Sequence, residues 1–125
     1  MIRTASMLAL AFLLSGCAHN VPPTLSPAAQ AAFQKTRVIK GLDLLRDTAI
    51  AANAQTPPLL SESTTRRVVL AHQSALRAMQ ASDVGWVPVV RVAVTGVLEQ
   101  LPANESALLT PYVSLALSLL NAVQP

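Results

Sequence analysis

From Pro27 onward the chain alternates stretches carrying apolar residues at helical spacing with short breaks rich in proline, glycine and serine. Val38, Leu42, Leu45, Ala49 and Ala52 recur at steps of four and three, the narrow apolar seam of a helix predicted over about Pro27 to Ala54. At about 1.5 Å per residue such a helix is near 40 Å long. Ser26 is its candidate N-cap, with Pro27 at the first helical position, and Pro57-Pro58 closes the segment. Gly41 weakens the middle of this helix by roughly 1 kcal/mol relative to alanine. It marks either a kink or a close helix contact.

A second helix is expected to start near Ser61, with Glu62 in its first turn and Arg66 four residues on in the favourable orientation. Val69, His72, Leu76 and Met79 form its stripe, and Ser82-Asp83-Val84-Gly85 reads as the turn that ends it. Trp86 to Leu101 is ambiguous by pattern. Val90, Val92 and Val94 alternate like a strand, whereas Val90, Val94, Val97 and Leu101 fit a helical stripe. Segment length and Pro88 near the start favour helix, ended by Pro102. The last helix begins near Asn104, or at the Thr110-Pro111 pair. After Tyr112 its polar positions, Ser114, Ser118 and Asn121, form one thin stripe on an otherwise apolar cylinder. That pattern predicts a helix largely buried in the domain core, with membrane contact or oligomerisation as the alternatives. Short turns between such elements imply an all-α fold, a small antiparallel bundle of three to four helices.

The first residues follow a different plan. Arg3 is a positive start, Met7 to Leu14 is an uninterrupted apolar run, and Ser15 and Gly16 are small. This is the layout of a secretory signal peptide, and the run is far shorter than the ~20 residues of a membrane-spanning helix. Leu14-Ser15-Gly16-Cys17 resembles the bacterial lipobox, the signature of lipoprotein signal peptides. The resemblance covers the leader alone. It implies cleavage between Gly16 and Cys17 and acylation of the Cys17 sulfur, with a membrane anchor as the consequence. Ala18 follows the cysteine where lipoproteins retained at the inner membrane often carry aspartate, so the resemblance implies an outer-membrane address facing the periplasm. Residues 1–16 are then the signal peptide, 17–26 a proline-punctuated tether, and 27–125 the helical domain.

Composition narrows the functional classes. Without Arg3 the chain keeps eight of its nine basic residues against six acidic ones, too weak an excess to indicate nucleic-acid binding. Beyond the leader, Phe33, Trp86 and Tyr112 are the only aromatics, so stacking platforms for bases or sugars are not expected. With Cys17 acylated, no thiol remains for a disulfide or a thiolate metal site. There is no glycine-rich phosphate loop, no His-Glu-x-x-His pair and no paired-carboxylate pattern, so no metal, cofactor or small-molecule substrate is expected.

His72, on an apolar stripe, reads as a histidine bonded to a neighbour or, less simply, as the general base of a hydrolase. His19 falls in the tether. Trp86, at a turn, either plugs the end of the bundle or anchors a partner, and Tyr112 is a second candidate contact. The resulting expectation is a non-enzymatic, membrane-anchored lipoprotein whose helical domain works by protein contact or self-association. A phage- or prophage-encoded envelope lipoprotein, acting in lysis or exclusion, is the alternative.

Overall fold

The computed structural model describes residues 26–123; the expected signal peptide, Gly16, Cys17, His19 and the expected tether through Leu25 lie outside the described residues. Helices α1 (Pro27–Asn53), α2 (Glu62–Ala81), α3 (Trp86–Gly96) and α4 (Ala103–Asn121) follow one another, and no strand occurs among the described residues. The chain divides into two compact units at Thr36 and Arg37. In the first, Ser26 caps α1, its hydroxyl accepting from the Ala29 amide at 3.2 Å, and the Thr36 hydroxyl donates to the Ala32 carbonyl at 2.9 Å. The second unit, from Arg37, holds the bundle.

Named contacts define the topology of that bundle. Asn53 donates to the Leu60 carbonyl at 3.0 Å, closing the α1–α2 turn, and Asp43 meets His72 further along the pair, so the two helices run antiparallel. Arg67 donates to the Glu99 carbonyl, beyond the end of α3, so α3 runs back along α2. Arg91 on α3 reaches Asn121 on α4 at 2.7 Å, and Gly41 on α1 lies against Ala116 and Leu119 of α4, which closes the circuit. The order is up, down, up, down.

The seam expected on α1 is buried at all five positions, Val38, Leu42, Leu45, Ala49 and Ala52. On α2 the buried stripe is Thr64, Val68, His72, Ala75 and Met79; Val69 and Leu76 lie one position to the side, at the rim of the core.

Residues 86–96 are helical, with Trp86, Val90 and Val94 facing inward, followed by buried Val97. Valine is a weak helix former, so this burial is what holds α3. Its missing Pro88 amide belongs to the first turn, where an amide has no partner inside the helix. The helix ends at Gly96, earlier than Leu101, because the last turn tightens. Amides of Val97, Leu98 and Glu99 bond carbonyls three residues back, and Gln100 takes a left-handed conformation (φ 58°) that reverses the chain. Arg67 supplies a donor to the freed Glu99 carbonyl.

Helix α4 starts at Ala103 and passes through Thr110-Pro111, which excludes the later start. An internal proline costs roughly 3 kcal/mol because it removes a hydrogen bond and crowds the preceding turn. Here Pro111 and Ala107, whose carbonyl loses its donor, both face outward where water can bond it. Buried Leu109 and Val113 flank the proline and hold the helix together. The helix is half-buried rather than central: Ala107, Pro111, Ser114, Leu115 and Ser118 are exposed, opposite Leu109, Val113, Ala116 and Leu120.

Gly41 marks a close contact between helices. A Cβ there would stand 2.6 Å from Leu119 Cδ1 and 3.8 Å from Ala116 Cα. Leu119 Cδ1 is the mobile tip of a half-buried side chain, so Gly41→Ala is expected to lie within about 1 kcal/mol of the native protein, the helix-propensity gain offsetting the displacement. Gly41→Leu has no such escape past the Ala116 backbone and should lose about 1–3 kcal/mol by overpacking. Urea denaturation of the two variants checks the pair, and equal stabilities would refute the contact.

Candidate functional site

Asp43 lies fourteen residues before Pro57 and His72 fourteen after Pro58, so a hairpin folded at that proline pair sets them opposite each other. His72 is buried at 5% exposure, and its Nε2 stands 2.7 Å from Asp43 Oδ1. Arg46 Nη1 approaches the same nitrogen at 3.4 Å, with Arg46 Nη2 3.9 Å from Asp43 Oδ1. Guanidinium groups only donate and an ionised carboxylate only accepts. The short contact therefore places a proton on Nε2, donated to Asp43, and Arg46 acts on the carboxylate rather than on the ring. Arg46 Nε is in turn bonded to Asp47 at 3.0 Å.

This arrangement fulfils the simpler expectation for His72, a histidine bonded to a neighbour. It also brings a histidine and an aspartate together, but through Nε2 rather than through the Nδ1 that the serine–histidine–aspartate triad uses. Neither Asp43, which accepts from the imidazole, nor Arg46, which stands 3.4 Å from it, is a nucleophile. Nearby sequence offered no carboxylate to orient the ring, and the partner comes from another helix. Equal distance from Pro57-Pro58 was the available signal.

A second polar cluster lies at the end where α2 and α4 begin. Ser61 is the N-cap of α2, its hydroxyl accepting from the Thr64 amide at 3.2 Å. In a capping box the third helical residue would reach back to the Ser61 amide, but here Thr64 Oγ1 accepts from the Ser61 hydroxyl at 2.9 Å. Glu105 of α4 reaches the Ser61 amide instead, Oε1 accepting from it at 2.6 Å. Glu105 is itself in the first turn of α4, so its carboxylate sits at two helix N-termini whose dipoles both favour negative charge. The Ser61 amide holds the Glu105 carboxyl below its ordinary value of 4.5, outweighing the opposing effect of burial, with the Ser61 and Thr64 hydroxyls assisting. Sequence reasoning missed this residue. An acidic side chain in the first turn of a helix was the only local signal, and it points to the helix's own terminus.

Trp86 is 4% exposed and belongs to the hydrophobic core, so it plugs the bundle; its assignment as a partner contact is corrected, because the indole leaves almost no outward surface. Tyr112 is half-buried against the same core. Cys17 and Gly16 lie outside the described residues. Among the described residues, no group of three or more histidine, cysteine or acidic side chains could hold a metal ion, and no helix is long and apolar enough to cross a membrane. No protein-family model, curated protein or solved structure matches the chain.

Two expectations follow for these clusters. Asp43→Ala should cost about 1–3 kcal/mol by leaving a buried imidazole N–H without its acceptor, whereas Asp43→Asn keeps an oxygen there and should cost less than about 1 kcal/mol. Denaturant titration distinguishes them; indistinguishable variants would mean that water replaces the carboxylate. For Glu105 the folded carboxyl titrates below the unfolded one, so its contribution is fully present above pH 4.5 and is lost as pH falls through the lowered value. Glu105→Gln should lose about 1 kcal/mol at neutral pH. The gap from the native protein should close on acidification, and a gap that stays constant into the acid range would refute the assignment.

Proposed function

We propose that the protein is a membrane-anchored lipoprotein facing the periplasm, held at the outer membrane through acylated Cys17, and that its helical bundle acts by contact rather than by catalysis. One observation carries the reading: Leu14-Ser15-Gly16-Cys17 directly follows a basic start and a short apolar run. The bundle geometry supports the second half. The buried His72 directs Nε2 into a bond with Asp43, and the buried Glu105 is tied to the Ser61 amide, so both serve joints between helices. Meanwhile α3 turns Val89 and Val92 outward. Such a domain fits an accessory or scaffold role in the cell envelope.

The oriented His72–Asp43 pair favours one second reading, a hydrolase in which His72 is the base. A hydrolytic activity lost in His72→Ala but retained in a destabilised variant away from the pair, such as Gly41→Leu, would promote it.

The anchored reading is tested by Cys17→Ser. The native protein should fractionate with membranes and show the added mass of acyl chains on its N-terminal cysteine. The variant should keep the uncleaved leader and lose that mass. A native chain without acyl mass would overturn the reading.

A further inference from the structure

We propose that the end of the bundle formed by the α1 entry, the α2–α3 turn and the start of α3 docks on an anionic phospholipid surface. Val84, Val89 and Val92 are its apolar contact and Lys40, Arg77 and Arg91 its charged rim. The inference rests on the anchored reading and adds to it the surface that the tethered bundle meets.

The turn between α2 and α3 is built to present Val84. The Ser82 hydroxyl accepts from the amides of Val84 at 3.2 Å and Gly85 at 2.8 Å, which fixes the backbone, while the Val84 side chain is 87% exposed. Pro88, Val89 and Val92 follow on the outward stripe of α3, with Val92 71% exposed, and α3 contains no acidic residue. Leu44 and Leu70 stand among polar neighbours, Leu44 between Lys40 and Asp47 and Leu70 between Arg66 and Gln73, while Leu115 continues an exposed Ala107–Pro111 stripe on α4 and Leu59 follows Pro57-Pro58 in the α1–α2 turn. Among the described residues, Val84 and Val92 are the most exposed of the large apolar side chains.

Charge is divided between the two ends of the bundle. Arg37, Lys40, Arg77 and Arg91 lie at the end that carries Val84, with Asp83 as the acidic residue there and Asp43 one turn deeper, held by His72. Glu62, Glu99 and Glu105 collect at the opposite end with Arg66, which pairs with Glu62, and Arg67, which bonds the Glu99 carbonyl. A weak net charge thus conceals a basic end and an acidic one. Small apolar side chains within a basic rim match the boundary between anionic headgroups and acyl chains. They match a protein hot spot poorly, because the patch exposes no aromatic side chain and its one tryptophan is buried.

The chain also enters the bundle at this end, at Arg37. The nine residues from Ala18 to Ser26 reach at most about 30 Å when extended and the ten helical residues from Pro27 to Thr36 add about 15 Å, so an anchor on Cys17 keeps the bundle within reach of the bilayer. Such tethering raises the local concentration to the millimolar range, where weak docking suffices.

The test uses the lipidated full chain, in which acylated Cys17 leaves an introduced cysteine as the only free thiol. Val84→Cys or Ala54→Cys, the latter at the opposite end, carries an environment-sensitive fluorophore. The protein is inserted into vesicles of phosphatidylcholine alone or mixed with phosphatidylglycerol, each with quencher-bearing lipid. The Val84 label should be quenched in the anionic vesicles and spared in the neutral ones, and the Ala54 label spared in both. Lys40→Glu with Arg77→Glu should weaken the Val84 quenching at least about fivefold, each basic residue contributing about that factor at an anionic surface. Equal quenching of both labels, quenching without dependence on anionic lipid, or concentration-dependent shielding of Val84 in detergent by a second copy would each overturn the proposal. Mass spectrometry of the same sample reports acylation of Cys17 separately. A chain found without acyl groups refutes the anchored reading, and its sedimentation with anionic but not neutral vesicles then decides the docking by itself.

Discussion

A single carboxylate, that of Glu105, joins the start of α4 to the start of α2 through the Ser61 amide. The bundle depends on such a joint because its core cannot choose a register unaided. Alanine, valine and leucine bury well at many relative positions of two helices, and hydrophobic attraction has no direction. A charge-assisted hydrogen bond of 2.6 Å does have direction, and sliding α4 by one turn would take the carboxylate away from the Ser61 amide. The cost of that slip is a buried carboxylate and a capping amide both left without partners. Unpaired buried groups of this kind discriminate more strongly between registers than the loss of one bond suggests.

Two further keys act along the other interfaces. His72 and Asp43 fix α2 against α1, and Gly41 lets α1 approach the Ala116 backbone and the Leu119 side chain of α4. The first key is directional and the second steric. Together with the cap at Ser61 they constrain contacts in the middle and toward both ends of the bundle, leaving α3 to be held chiefly by its buried valines, Trp86 and the bonds of Arg67 and Arg91.

Legibility followed the same division. The α1 seam could be read residue by residue because its large apolar positions coincide with its buried ones. On α2 the reading held at His72 and Met79 and slipped by one position at Val69 and Leu76, since pattern reasoning weights leucine over alanine, whereas the buried neighbours are Val68 and Ala75. The start of α4 was ambiguous because Thr110-Pro111 carries the local chemistry of a helix beginning. Burial of Leu109 and Val113 on either side overrides that local preference. Ser26, by contrast, was legible as a cap and the start near Ser61 as a helix beginning, because such a start is decided within four residues. His72 was visible as a candidate, but its partner was not. Neither was the Ser61–Glu105 bond, which spans 44 positions. Long-range polar pairs become readable only after the hairpins are in place, and the symmetry of Asp43 and His72 about Pro57-Pro58 is the one case where the hairpin alone suffices.

These internal pairings bear on what the outer surface can do. Polar groups that could have served chemistry are drawn into joints: Glu105 bonds an amide, Asp43 bonds His72, and Arg46 bonds Asp47 beside that pair. A residue already donating or accepting a short bond inside the fold must break that bond before it can act on a substrate, and breaking it releases the helix it positions. The unsatisfied side of the molecule is instead apolar, the valines of α3 and its preceding turn. An apolar stripe of small residues offers little affinity by itself, which keeps a free domain from aggregating through it. Held by a tether, the same stripe operates at a high effective concentration, so an affinity too weak for a diffusing protein becomes sufficient for an anchored one. Under the anchored reading, the modest chemistry of this surface and the lipid on Cys17 are therefore complementary parts of one device, in which the anchor supplies proximity and the bundle supplies orientation.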